Sequence, residues 1–243
     1  MRIARVHVED ELAVGARIAL TQAQSHYLKH VLRLKPGAEL RLFNGMDSLD
    51  YHAVLGADGK RLSASIEAAT VVTTESPLHS EIIQGLGRAD HMDWMIQKTT
   101  ELGVKRISLF PSERTQAPLT SARLEKKRQH WRGVTISACE QCGRALLPEI
   151  HYHDNLAQAL AACTSDLRLL LEFSGAPLPT ALHVACDSIA ILLGPEGGLN
   201  PAEIELGKSS GFTTVSLGPR VLRTETAAAS ALAIAQSLLG DLN

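Results

Sequence analysis

Nowhere in these 243 residues does an apolar run approach the ~18 residues that a membrane span needs. The first ten residues, Met1 to Asp10, contain no continuous apolar stretch, so they do not read as a signal peptide. A cytoplasmic, reducing location is therefore expected, with Cys139, Cys142, Cys163 and Cys186 as free thiols. Cys139 and Cys142 form a single C-x-x-C with no second pair at zinc spacing. His151 and His153 have no partner cysteine, so no metal is expected. The chain has no G-x-x-x-x-G-K-S/T loop, which argues against ATP hydrolysis. It has no G-x-S-x-G elbow for a serine nucleophile either.

What is present is an ordinary globular composition, 45% hydrophobic and 21% charged, with a formal net charge of −2. The balance is uneven. From Gln84 to Arg144 there are 11 Lys/Arg against 6 Asp/Glu, and from Ala145 to Asn243 there are 4 against 10. A locally basic segment on a near-neutral chain suits contact with a polyanion, although the Lys126-Lys127-Arg128 run by itself reads as a solvated helix face.

Residues 1–73 read as short β segments with glycine turns. Arg2 to Val8 alternates, Glu39 to Phe43 runs into Asn44-Gly45, and Asp50 to Leu55 follows. Asp58-Gly59 precedes the alternating Leu62 to Ile66. One helix is predicted from Gln22 to Arg33, closed by Pro36-Gly37. The sum suggests a small β-barrel. Thr74 to Ser80 reads as a linker. From Glu81 the pattern becomes alternating strands and helices, the signature of a parallel α/β sheet over 74–243. Predicted strands are Ile82–Leu86, Val104–Phe110, Leu167–Phe173, Ile189–Leu193 and Thr213–Leu217. Predicted helices begin near Asp90, Ser121, Asn200 and Thr224. Asp90 is the expected cap of the first of these, and Asn200 with Glu203 forms a capping box for the third.

Two of these strands end in glycine loops close together in sequence: Gly194-Pro195-Glu196-Gly197-Gly198, and Leu217-Gly218-Pro219-Arg220-Val221-Leu222-Arg223-Thr224-Glu225. In open α/β sheets ligands bind at the carboxyl ends of strands, and glycine lets the backbone approach a ligand closely. Arg220, Arg223 and Glu225 are charges that core packing does not require. Glu172, ending another buried strand, is either a structural cap or a ligand contact. Gly85-Leu86-Gly87 imitates a dinucleotide fingerprint but lacks its third glycine.

These two loops resemble the signature of the RsmE family, bacterial 16S ribosomal RNA uracil-N3 methyltransferases of the SPOUT superfamily. Ile96–Gly103, Pro111-Ser112-Glu113-Arg114 and Ala138–Arg144 match as well. The resemblance implies an α/β knotted SPOUT methyltransferase domain with a trefoil knot, at 74–243, preceded by a small PUA-like β-barrel RNA-binding domain at 1–73. It implies S-adenosyl-L-methionine as cofactor, 16S rRNA within the small ribosomal subunit as substrate, and a homodimer. The knot would involve Leu192 to Gly198 and Leu217 to Arg223. The cofactor would be held by Leu171, Glu172, Leu193, Gly194, Glu196, Gly197, Leu217, Gly218, Val221 and Leu222. Arg88, Lys98, Arg114 and Arg144 would contact RNA phosphates. For removal of the uracil N3 proton the candidates are Glu225, Glu140 and Glu101. Arg223 or Arg220 would instead stabilise the uracil anion. Two other readings stay open: an RNA-binding module of the same fold without catalysis, and a nucleotide-dependent oxidoreductase.

Overall fold

The computed structural model describes residues 3–59, 61–115, 121–182 and 185–242. The chain forms two compact units. The first is Met1–Glu75 together with Cys139–Leu147, and the second is Ser76–Ala138 together with Pro148–Asn243.

In the first unit the elements are β1 (Ala4–His7), β2 (Arg17–Ala19), α1 (Gln22–His26), β3 (Glu39–Phe43), β4 (Leu49–Asp58) and β5 (Arg61–Val71). They make one five-stranded sheet in the order β1-β3-β4-β5-β2. β1 runs parallel to β3, and the other pairs are antiparallel. Alternation puts Val6, Leu40, Leu42, Leu55 and Leu62 into one apolar core, which Leu20 and Leu28 complete. The first residue of the predicted Arg2–Val8 strand lies outside the described residues. The Gln22–Arg33 helix forms with a difference. Thr21 and Gln24 build a capping box, but the chain is α-helical only to His26 and continues as a π-helical turn over Tyr27–Val31. It leaves through Arg33 at φ 55, the one non-glycine residue at positive φ among the described residues.

Polar burial in this unit takes up two residues of the expected sites, Arg144 as an RNA-phosphate contact and Glu140 as a candidate base. Arg5 sits in the interior, its guanidinium donating to Asp50 (2.7 Å), to the Cys139 carbonyl (2.6 Å) and to the Arg144 carbonyl (3.1 Å). The Arg144 side chain is 3% exposed and pairs with Glu75 at 2.8 Å. Arg144 is therefore corrected from an RNA-phosphate contact to a buried strut, because its guanidinium is enclosed with its counter-ion. Glu140, a candidate base, accepts the His7 backbone N–H at 3.0 Å within the same unit. Burial pushes its carboxyl above the usual value, against the opposing effects of that bond and of Arg5.

The second unit alternates as predicted: β6 (His79–Gly85), α2 (Ala89–Glu101), β7 (Arg106–Phe110), α3 (Ser121–Cys142), β8 (Glu149–Tyr152), α4 (Leu156–Ala162), β9 (Leu167–Pro177), α5 (Leu178–Ala181), β10 (Ser188–Leu193), α6 (Pro201–Ser209), β11 (Thr213–Ser216) and α7 (Thr224–Leu239). Its six strands lie in the order β11-β9-β10-β6-β7-β8, every pair parallel. Helices cover both faces, so the central strands are apolar throughout, as in Ile189–Leu193. One face packs Met92, Met95 and Ile96 of α2 with Ala228, Ala231, Leu232 and Ala235 of α7. The alanine stripe of α7 is thus used, at those positions, against its own sheet and α2. The final turn of α3 belongs by compactness to the first unit. β2, α4 and α5 are short elements that the sequence pattern did not announce.

Candidate active site

The cavity forms where β9, β10 and β11 end. After Leu193 the chain turns back at Gly194, where a Cβ would lie 2.5 Å from the Leu199 nitrogen and 2.6 Å from the Gly198 carbonyl carbon. Only glycine fits there. The Gly194 carbonyl is then held from two sides, by Gln84 Nε2 at 2.7 Å and Thr224 Oγ1 at 2.8 Å. Gln84 Nε2 also donates to Thr224 Oγ1 at 3.0 Å. One side chain at the end of β6 therefore clasps the loop after β10 and the start of α7.

Glu196 performs a second fixing task. Its Oε1 accepts the Arg88 backbone N–H at 2.8 Å and lies 2.8 Å from His91 Nδ1. The N-cap of α2 is Arg88, with no cap from its own side chain, and Asp90 lies within the first turn. The expected Asp90 cap is thus corrected: the helix starts at Ala89, so Asp90 is its second residue and Arg88 is the cap. Burial raises the Glu196 carboxyl, but the N–H of Arg88, its own backbone N–H and the His91 contact outweigh it and hold the group below the ordinary carboxylate value. Gly85 and Gly87 are explained here too. A Cβ on the first would meet Pro195, and one on the second would meet the Glu196 carboxylate. Their role is close packing of this loop, which leaves the dinucleotide reading without support.

Pro111–Arg114 is tied to the start of α6. Glu203 closes the expected capping box with Asn200, and it also accepts from Ser112 Oγ (3.0 Å) and the Glu113 N–H (3.1 Å). Arg114 follows on this rigid corner and donates through Nη1 to the Gly197 carbonyl at 2.6 Å.

The resulting cavity measures about 710 Å³, within the range of small-molecule sites. Leu171, Glu172, Leu193, Gly194, Glu196, Gly197, Leu217, Gly218, Val221 and Leu222 all line it. Arg114, Arg220 and Arg223 line it as well. Arg220 and Arg223 are exposed and make no ion pair among the described residues. Glu225 is buried and is not on the wall, although its neighbours Thr224 and Ala227 are. Lys98 and Glu101 pair with each other at 2.9 Å along α2 and do not line the cavity. Arg88 is exposed and pairs with Asp90 at 3.4 Å. The sequence reading missed Gln84, His91 and Phe173. Gln84 had no signal, because its strand mixes polar and apolar residues and its partners Gly194 and Thr224 lie 110 and 140 residues further on. His91 had none, because its partners come from a loop and from the head of α7, about 105 and 134 residues further on.

Comparison with known proteins agrees with this geometry. Residues 74–236 match the family profile of an RNA methyltransferase domain, and 20–67 match that of an RNA methyltransferase PUA domain. The chain is 32% identical to ribosomal RNA small subunit methyltransferase E of Buchnera aphidicola subsp. Schizaphis graminum, over 100% of this chain and 99% of that protein. It is 29% identical to the protein of that name from Bacillus subtilis, over 92% and 91%. Among solved structures, ribosomal RNA small subunit methyltransferase E from Neisseria gonorrhoeae, bound to S-adenosyl methionine, superposes with a TM-score of 0.90 at 32% identity, covering 100% of both chains. A Legionella pneumophila methyltransferase in complex with the same cofactor superposes with 0.92 at 34%, again over 100% of both. By matched domains, full-length identity and fold together, this chain belongs to the ribosomal RNA small subunit methyltransferase E family.

Proposed function

We propose that the chain transfers a methyl group from S-adenosylmethionine to N3 of one uridine in the 16S RNA of the small ribosomal subunit. The observation that carries this reading is the cavity between the two glycine loops, with the exposed Arg220 and Arg223 on its wall. The fit to the cofactor is good. Gly194 brings backbone to the wall, Leu171, Leu217, Val221 and Leu222 offer apolar surface, and Glu172 and Glu196 add polar groups. When bound, the cofactor supplies a methyl group already activated on a sulfonium.

The protein's own tasks are then to position and to manage charge. Orienting the reactants supplies at most roughly 7–11 kcal/mol of such a barrier. The uracil N3–H is weakly acidic, and its anion is the nucleophile. Of the three carboxylates considered as base, none lines the cavity. Glu101 is paired with Lys98, and Glu140 is bonded within the first unit. Three exposed guanidiniums do line it, and one of them, Arg114, is already bonded to the Gly197 carbonyl. We therefore assign Arg223 and Arg220 to electrostatic stabilisation of the uracil anion, the N3 proton leaving to solvent. Methylation at N3 attacks the pairing edge, so the uridine is taken unpaired.

The trefoil knot belongs to this proposal. It is supported by the strand order β11-β9-β10 and by the bond from Thr224 to Gly194, which brings the chain back past β9 after β11. RNA-phosphate contact by Arg88 and Arg114, a homodimer that completes each site, and a cytoplasmic location are proposed with it. No helix among the described residues is long and apolar enough to cross a membrane.

The test is transfer from radiolabelled S-adenosylmethionine to small subunits purified from cells lacking the gene, followed by separation of nucleosides. Label in 3-methyluridine is expected. Label in another nucleoside would retain the enzyme class and reject the target atom. Absence of both label and cofactor binding would favour a non-catalytic RNA-binding module.

A further inference from the structure

We infer that His91 acts as a cation, an imidazolium that bolts the Gly194–Gly198 loop to the head of α7 and so positions the cofactor wall; this rests on the cofactor reading above. Three carboxylates from three separate segments meet this one ring. Its Nδ1 lies 2.8 Å from Glu196 Oε1 and 3.7 Å from Glu225 Oε2, and its Nε2 lies 3.8 Å from Asp90 Oδ2. The His91 side chain is 16% exposed and that of Glu225 only 8%.

Glu225 decides the argument. Its Oε2 is buried without a hydrogen-bond partner among the described residues. A buried carboxylate left without an opposite charge is strongly unfavourable. Among the described residues, the one basic group within 4.0 Å of it is His91. A neutral imidazole donating from Nδ1 would satisfy Glu196 and leave Glu225 with only the N-terminal dipole of α7 as compensation. A protonated ring answers both, and Asp90 as well.

The surrounding charges do not replace it. Arg88, just before α2, is exposed and directed at Asp90 (3.4 Å). Asp93, further along α2, is engaged by His130 at 2.7 Å. Arg223, just before α7, is exposed and makes no ion pair among the described residues. Glu196 belongs to the loop that forms the cavity wall, and Glu225 follows Thr224, which holds Gly194. Charge on His91 therefore sets the spacing between the two segments that enclose the cavity. Loss of the charge on His91, by substitution or by pH, should therefore weaken cofactor binding.

The experiment is calorimetric titration of S-adenosylmethionine into the full chain as wild type, His91→Gln and His91→Lys, at about pH 6 and about pH 8.5, values on either side of the histidine range. The cofactor's own titration is common to all three proteins and cancels in the ratios. The wild type should bind like His91→Lys at low pH and about tenfold weaker than it at high pH. His91→Gln should be about tenfold weaker than His91→Lys at both. Lysine keeps the charge without the ring, so the comparison stands even if the glutamine variant is poorly folded. The inference is overturned if His91→Gln binds as tightly as wild type, or if wild type and His91→Lys respond identically to pH. A wild type that binds no cofactor at either pH would overturn the function proposed above and this inference with it.

Discussion

Gly194 has no room for a methyl group, and the physical demand is local enough that the sequence announced it. Gly194→Ala is expected to displace the loop, weaken cofactor binding by more than about tenfold, and lower stability by roughly 1–3 kcal/mol as overpacking does. Calorimetry and urea unfolding measure the two effects. For chemistry, Arg223→Ala should reduce kcat by about 10²–10³, the scale of losing one electrostatic contact to a developing anion. Glu101→Gln should leave kcat near wild type in the same radiolabelled methyl-transfer assay. If Glu101→Gln were the inactive one, the charge assignment would be wrong. Glu196 adds a dependence on acid. Its carboxyl is held below the ordinary value in the folded chain, so its contribution is complete at neutral pH and is lost as pH falls through that depressed value. Thermal melting with bound cofactor should decline there, and a Glu196→Gln variant should decline less. What the sequence did not show at this scale was His91 and Gln84. Both matter through partners more than 100 residues away, a distance no periodicity encodes.

Among the elements, α6 was legible to the residue. Asn200, Pro201 and Glu203 are a local code, and the capping box forms as read. The further bonds from Glu203 to Ser112 and the Glu113 N–H were not legible, because they join two motifs across 91 and 90 residues. Glu203→Ala therefore removes more than a cap. Its expected effect is about 2 kcal/mol of unfolding free energy, cap and buried hydrogen bonds together, measured by urea denaturation. A loss of only a few tenths would mean that Arg114 is held by other contacts. The misplaced cap on α2 has the opposite lesson. Asp90 fits the local rule, yet the helix begins one residue before it, at Ala89, where Arg88 is the N-cap. The π-helical turn at Tyr27–Val31 and the short α4 and α5 carry no periodicity long enough to read.

On the scale of the whole molecule, the basic stretch from Gln84 to Arg144 looks different once its partners are known. Lys98 is bound to Glu101, Arg106 to Glu149 and Arg144 to Glu75. The cations available to a polyanion are fewer than the composition suggested, and Arg88, Arg114, Arg220 and Arg223 are the ones near the cavity or its loops. With subsaturating RNA the methylation rate should fall with added salt, log rate against log salt sloping by about −0.7 for each phosphate contact on single-stranded RNA. A rate flat in salt would remove these arginines from the RNA interface. The parallel sheet and the second, smaller β unit were both visible beforehand, because alternation and buried strands are patterns of single segments. The inclusion of Cys139–Leu147 in the first unit was not.

The clasp of Gln84 and Thr224 on Gly194 also orders events in time. It joins segments separated by 110, 140 and 30 residues. Contacts this distant carry a loop-closure cost that slows folding, and a chain made from its N-terminus acquires Thr224 only after Gln84 and Gly194. Until α7 has emerged, the glycine loop has lost one of its two anchors and the cavity has no far wall. A copy cut short before Thr224 is thus expected to bind S-adenosylmethionine more weakly than the full chain, which calorimetry on the two would check.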